Sequence, residues 1–166
     1  MIEKVLRQII NIFSRPLSKK DVRVFNAMNP EFFTFKELVY SETAIKNNIP
    51  NIPDWQIIEN LKYLGKVLDD FRQYWNKPVR VTSGYRCTEL NKLVGGVGNS
   101  SHKQGLAADI QPQNMKDWDA FKKAAVDFFK NYEYDFDQVI IEKSKNTQWL
   151  HIGIAGNRRQ IFKLEV

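Results

Sequence analysis

The sequence is poor in the residues that usually carry chemistry or cross-links. Its 166 residues include one cysteine and two histidines. Cys87 has no partner in the chain, which excludes an intramolecular disulfide framework and a zinc site of clustered cysteines, and leaves no redox sign of secretion. Long apolar runs are also missing. The opening MIEKVLRQIINIFSRP never places more than three apolar residues together, and so lacks the ~7–15-residue stretch of a secretory signal. No segment approaches the ~20 apolar residues needed to cross a bilayer. These absences predict a soluble chain made in the cytoplasm, which reaches any outside target by a route the sequence does not supply. The glycine-rich stretch GGVGNSS (95–101) lacks the third glycine of a dinucleotide fingerprint, and no Gly-Lys-Ser/Thr follows it, so neither familiar phosphate cradle is present.

What is present suffices for one packed core: 43% of the residues are apolar and 13% aromatic. Lys and Arg number 25 against 19 Asp and Glu, a formal charge of +6. That balance favours anionic surfaces, whether nucleic acid, acidic headgroups or a cell-wall polymer, and charge alone does not choose. No zinc-finger or RNA-binding motif accompanies the charge, so no nucleic-acid partner is expected.

Residues 2–13 space Val5, Leu6, Ile9, Ile10 and Phe13 as a basic amphipathic helix, suited either to a membrane surface or to docking on the domain or a partner. A second helix is expected within 18–28, making residues 1–33 a helical extension ahead of a domain over 34–166. Thr34 and Glu37 form a capping box before a short helix. From Asp54 to Trp75, Ile57, Ile58, Leu61, Leu64, Leu68, Phe71 and Trp75 recur at three- and four-residue steps and predict the main core helix. PVRVTS (78–83) reads as a strand, 87–94 as a short helix and LAADIQP (106–112) as a strand. Residues 115–130 form an amphipathic helix with Trp118, Phe121, Ala125 and Phe128 on one stripe. Strands follow over 137–142, 148–154 and 159–166. The expected fold is α+β, with helices packed on a small, mainly antiparallel sheet.

Both histidines sit in suggestive settings. His102 lies in a turn-rich loop, and seven residues later Asp109 stands among small and apolar residues in AADI, where an unpaired charge would be costly. If Leu150, Ile152 and Ile154 face the core, then Trp149, His151 and Gly153 face the other side, a possible cleft. Two imidazoles and a carboxylate from three elements make the open tripod of a catalytic zinc site. On residues alone the alternative stands beside it: hydrogen-bonded histidines, and an Asp109 paired with a nearby Arg or Lys.

The motifs S-G-Y-R (83–86), S-x-H-x-x-G-x-A-x-D (100–109) and W-L-H-I (149–152) resemble those of the zinc D-alanyl-D-alanine carboxypeptidases, a family that includes L-alanyl-D-glutamate endopeptidases of phage lysis and wall turnover. The resemblance spans about Thr34 to Ile154. It implies that His102, Asp109 and His151 ligate Zn2+. It also implies that Arg86 holds a substrate carboxylate or the oxyanion, that Ser100 shapes the loop or meets substrate, and that peptidoglycan stem peptides are the partner. Some relatives carry Glu three residues before the last histidine, where this chain has Gln148. Glu142 resembles the acid of a subgroup with Q-x-I-x-E followed by W-x-H, and is preferred over Asp137 as general base. The competing reading is a non-catalytic zinc-containing module that binds cell wall or protein, motivated by Gln148.

Overall fold

The computed structural model describes residues 30–133 and 135–165. The helices expected over 2–13 and 18–28, and with them the membrane-surface or docking role of 2–13, lie outside the described residues.

Two short helices lead in. Helix α1 (Phe35–Val39) opens on the expected capping box: the Thr34 hydroxyl accepts from the Glu37 N–H at 3.2 Å, and the Glu37 carboxylate accepts from the Thr34 N–H at 2.9 Å. Ser41 caps α2 (Glu42–Lys46) singly, its hydroxyl accepting from the Ala44 N–H at 3.2 Å. The long helix α3 (Trp55–Trp75) starts at Asp54, whose side chain accepts from the Ile57 N–H, and stops at Asn76 in the left-handed region. The periodic stripe read from the sequence is its buried face: Ile58, Leu61, Leu64, Leu68 and Phe71 are at most 3% exposed. Each such side chain contributes about 1.5–3 kcal/mol by leaving water.

After β1 (Val79–Ser83) come α4 (Thr88–Leu93), a single 3₁₀ turn at Ser101–Gln104 and β2 (Ala107–Pro112). The helix expected from residue 115 begins later. Residues Met115–Asp117 form a 3₁₀ turn, with the Asn114 side chain accepting from the Lys116 N–H, and α5 proper is Trp118–Lys130. Its buried stripe ends on Phe129, while Phe128 is partly covered and stacks near Tyr74 and Tyr132. Phe121, Phe128 and Phe129 all lie against Phe71 of α3, the closest ring centroids 5.3 Å apart.

Strands β3 (Gln138–Lys143), β4 (Gln148–Gly153) and β5 (Gln160–Glu165) complete a five-stranded sheet of order β1-β2-β4-β3-β5. All neighbours are antiparallel except β3 and β5. The exception has a simple cause. The free side of β4 is taken by β2, so the chain leaving β4 crosses the start of β3 and runs parallel along its other edge. Arg158 secures that crossing on Asp137, with its Nε 2.7 Å from the carboxylate. Val139, Leu150, Ile152, Ala108 and Ile110, all at 0% exposure, turn one face of the sheet to the aromatic core beneath α3 and α5. By alternation, Asp109, Gln111, Trp149, His151 and Glu142 project from the other face.

One charge is built into the core side. Asp69 of α3 is 1% exposed, and its carboxylate accepts the backbone N–H groups of Glu31 at 2.6 Å and Phe32 at 3.0 Å, tying the entering chain to the main helix. Replacing Asp69 with Ala strands two amides, so urea denaturation should show a loss of about 2–4 kcal/mol. Asp69→Asn, which keeps an acceptor, should lose less; equal losses would remove the hydrogen bonds as the cause.

Candidate metal centre

Three elements bring the site together. His102 comes from the 3₁₀ turn, Asp109 from the middle of β2, and His151 from the middle of β4 directly across from Asp109. All three are buried, at 3%, 7% and 9% exposure. The motif around His102 has a mechanical meaning. Gly105 ends the turn at φ +68°, and a Cβ there would meet Ile57 of α3 at 2.9 Å, so a glycine lets the turn lie flat on the main helix. Gly84 allows a second close approach, since a Cβ there would fall 2.1 Å from the Leu38 carbonyl oxygen.

The Gly84 approach sets the chemistry of His102. The Gly84 carbonyl lies 2.7 Å from His102 Nδ1. A carbonyl only accepts, so Nδ1 carries the proton and Nε2 presents its lone pair to the cluster. There, His102 Nε2 is 3.2 Å from His151 Nδ1 and 3.3 Å from Asp109 Oδ1, and His151 Nδ1 is 2.9 Å from the same oxygen. A tetrahedral metal with bonds of about 2.0–2.1 Å needs donors about 3.3 Å apart, so this triangle has the edge lengths of one face of such a site. The donor set, two nitrogens and a carboxylate oxygen, fits a borderline cation such as Zn2+.

The second oxygen of Asp109 is occupied differently. Arg86 Nη2 donates to Oδ2 at 2.7 Å and lies 3.2 Å from His102 Nε2, while its Nε donates to the Ser83 hydroxyl at 2.8 Å. Arg86 reaches this position because β1 carries an irregularity between Val81 and Ser83, which sets Ser83 rather than Thr82 opposite Asp109. Burial pushes the Asp109 carboxyl up, and the charges and hydrogen bonds of His102 and His151 outweigh it, holding the group well below the usual carboxylate range.

The triad forms part of the wall of an open cleft of about 840 Å³, which also has Tyr40, Arg86, Val97, Ser100, Glu142 and Trp149 along it. Ser100 precedes the 3₁₀ turn and makes no side-chain cap there. Glu142 reaches the cleft through the β3–β4 hairpin: Ile140 pairs with His151 and Glu142 with Trp149. The Trp149 indole nitrogen lies toward Glu142 but short of a hydrogen bond. Position 148 is an odd number of strand residues from His151, so an acid there would project from the opposite face. Asp137 lies outside the cleft lining, and its bond to Arg158 holds its carboxyl below the ordinary value against the effect of burial. A cleft residue that escapes a reading based on motifs is Arg80, whose guanidinium donates to Gln111 across on β2. The available signal was alternation, which places Gln111 on the face of Asp109.

Burial, and after it the charge of Asp109, pushes the Glu142 carboxyl up, against the pull of His151, Arg86 and Trp149. A carboxyl raised by folding favours its protonated form in the folded chain, so its ionisation costs stability as pH rises through the folded pKa. Glu142→Gln should therefore melt higher than the parent at pH 7 in the presence of a chelator, with the gap closing by pH 4. An equal or lower melting temperature at pH 7 would show that the carboxylate is not strained.

No curated protein sequence matches the chain. The Peptidase M15 family matches residues 31–152, a span that begins just before α1, ends within β4 and includes the whole His-Asp-His group. By that match the chain belongs to the Peptidase M15 family, a family of metallopeptidases, and is a hydrolase by membership.

Proposed function

We propose that the protein is a zinc metallopeptidase that hydrolyses peptide bonds of peptidoglycan stem peptides, as a D-Ala-D-Ala carboxypeptidase or a related murein endopeptidase. The observation that carries this reading is the convergence of His102 Nε2, His151 Nδ1 and Asp109 Oδ1 in one cleft wall, with Glu142 on the same face of the sheet. His102, Asp109 and His151 would hold the metal. When bound, Zn2+ would polarise the scissile carbonyl and lower the pKa of water from ~15.7 toward ~7.

The chain's own residues account for the remaining chemistry. The Gly84 carbonyl keeps the His102 proton on Nδ1, so Nε2 stays a donor of electrons. Glu142 takes the proton of the attacking water and returns it to the leaving amine, so the acid is regenerated in each turnover. Its raised pKa makes it a stronger base than an ordinary glutamate. Arg86 supplies a fixed guanidinium for the substrate carboxylate or the developing oxyanion. It is already anchored by Ser83 and by Asp109 Oδ2, so little is spent on orienting it. The excess of positive charge would keep the protein near an anionic wall, an effect weakened by salt.

The test combines elemental analysis with muropeptide digestion read by mass. The parent should bind one zinc per chain and release a single product pair, and His102→Ala should lose both metal and cleavage. Zinc binding without any cleavage would favour the non-catalytic wall or protein-binding module, and no zinc after reconstitution would overturn the reading. Glu142→Gln should retain zinc and lose kcat by about 10²–10⁴-fold; an unchanged kcat would remove Glu142 from the mechanism.

A further inference from the structure

Two cations line the cleft among the described residues, and their environments differ. Arg86 is neutralised by Asp109. Arg80, on β1, has no carboxylate within ion-pairing distance among the described residues; its guanidinium donates instead to the side-chain oxygen of Gln111, directly across on β2. Gln111 is only 5% exposed. Its amide nitrogen is used twice, donating to the Gln148 carbonyl at 2.7 Å and to the Thr147 hydroxyl at 3.2 Å. That pairing turns the amide oxygen toward Arg80. A buried neutral amide thus holds one face of a guanidinium and leaves its charge uncompensated beside the cleft.

The acids nearby do not supply the missing charge. Glu42, which also lines the cleft, is bound to Lys46 at 2.9 Å. Glu142 stands on β3, three strands from β1 in the sheet order. Arg80 pairs with Gln111, which follows Asp109 by two residues on β2. The offset from the metal centre is therefore about 7 Å along the strand, the length of about two residues of extended peptide.

We propose that Arg80 is a specificity-determining residue that binds a second carboxylate of an acidic peptide, about two residues from the bond held at His102, Asp109 and His151. The inference rests on the peptidase reading of that centre and deepens it: the favoured substrate carries a free carboxylate along its length as well as groups at the scissile bond. A guanidinium recognises such a carboxylate with two parallel donors, whereas a primary amide at the same place offers one acceptor and no charge. Gln111 acts through Arg80 as a positioning residue, fixing the fork before substrate arrives.

The experiment uses the zinc-loaded full chain and two synthetic stem peptides, L-Ala-γ-D-Glu-L-Lys-D-Ala-D-Ala, joined to lysine through the D-Glu side-chain carboxyl, with the α-carboxylate of D-Glu free or converted to the primary amide. The parent should prefer the acid by about tenfold or more, the scale of one charged hydrogen bond, and mainly through KM. Arg80→Met should lose this preference while keeping its metal content and its kcat on the amide, and Arg80→Lys should keep part of it. The same acid-to-amide ratio in Arg80→Met as in the parent, or no preference in the parent, would overturn the proposal. If neither peptide is cleaved, the stem-peptide reading fails separately. Calorimetric titration of the two uncleaved peptides then decides the role of Arg80: a parental preference for the acid that Arg80→Met loses supports it, and its absence overturns it.

Discussion

The structure turns on a single buried carboxylate. Asp109 lies inside a strand whose six residues are all buried, a setting in which an unpaired charge would be expelled or neutralised. It is retained because both of its oxygens are used. Oδ1 meets the two imidazoles, whose charges and hydrogen bonds outweigh desolvation, and Oδ2 meets Arg86. Every partner comes from a different element, and so the carboxylate also sets the relative positions of β2, β4, the His102 turn and the chain that follows β1.

Several local features serve that arrangement. Gly84 lets the backbone pass close to α1 and turns its carbonyl to His102; Gly105 lets the same turn settle on α3. The irregularity in β1 redirects the chain so that Arg86 reaches Asp109. The helices press on the other face of the sheet, where Leu150, Ile152, Ala108 and Ile110 meet the phenylalanine cluster of α3 and α5. Packing thus holds one face rigid while the polar face carries the donors, the division a preformed site requires.

The open face also concentrates electrostatic tension. Glu142 sits where burial and Asp109 disfavour its charge, and Arg80 keeps a charge that no neighbouring acid among the described residues offsets. In a fold selected for stability alone, such groups would be paired or replaced. Their presence around the His-Asp-His group is the pattern expected when stability is conceded to function.

Much of this could be read from residue order. The three-and-four spacing of α3, the Thr34–Glu37 box and the alternation of 148–154 are local signals, and local geometry decides which side a residue faces. The motif spacing around His102 and Asp109 pointed to the Peptidase M15 family for a related reason: two residues that meet at one place from a turn and the next strand must keep nearly constant separation. The sequence by itself therefore determined most elements of the described residues, the faces they bury and a group of residues able to hold a metal. Tertiary structure alone decided which groups meet. Strand order sent β5 to the far edge of β3, pairing across strands brought Glu142 to Trp149, and Gln111 selected Arg80. Contacts between residues tens of positions apart depend on how separate surfaces pack, and no period within the chain records that.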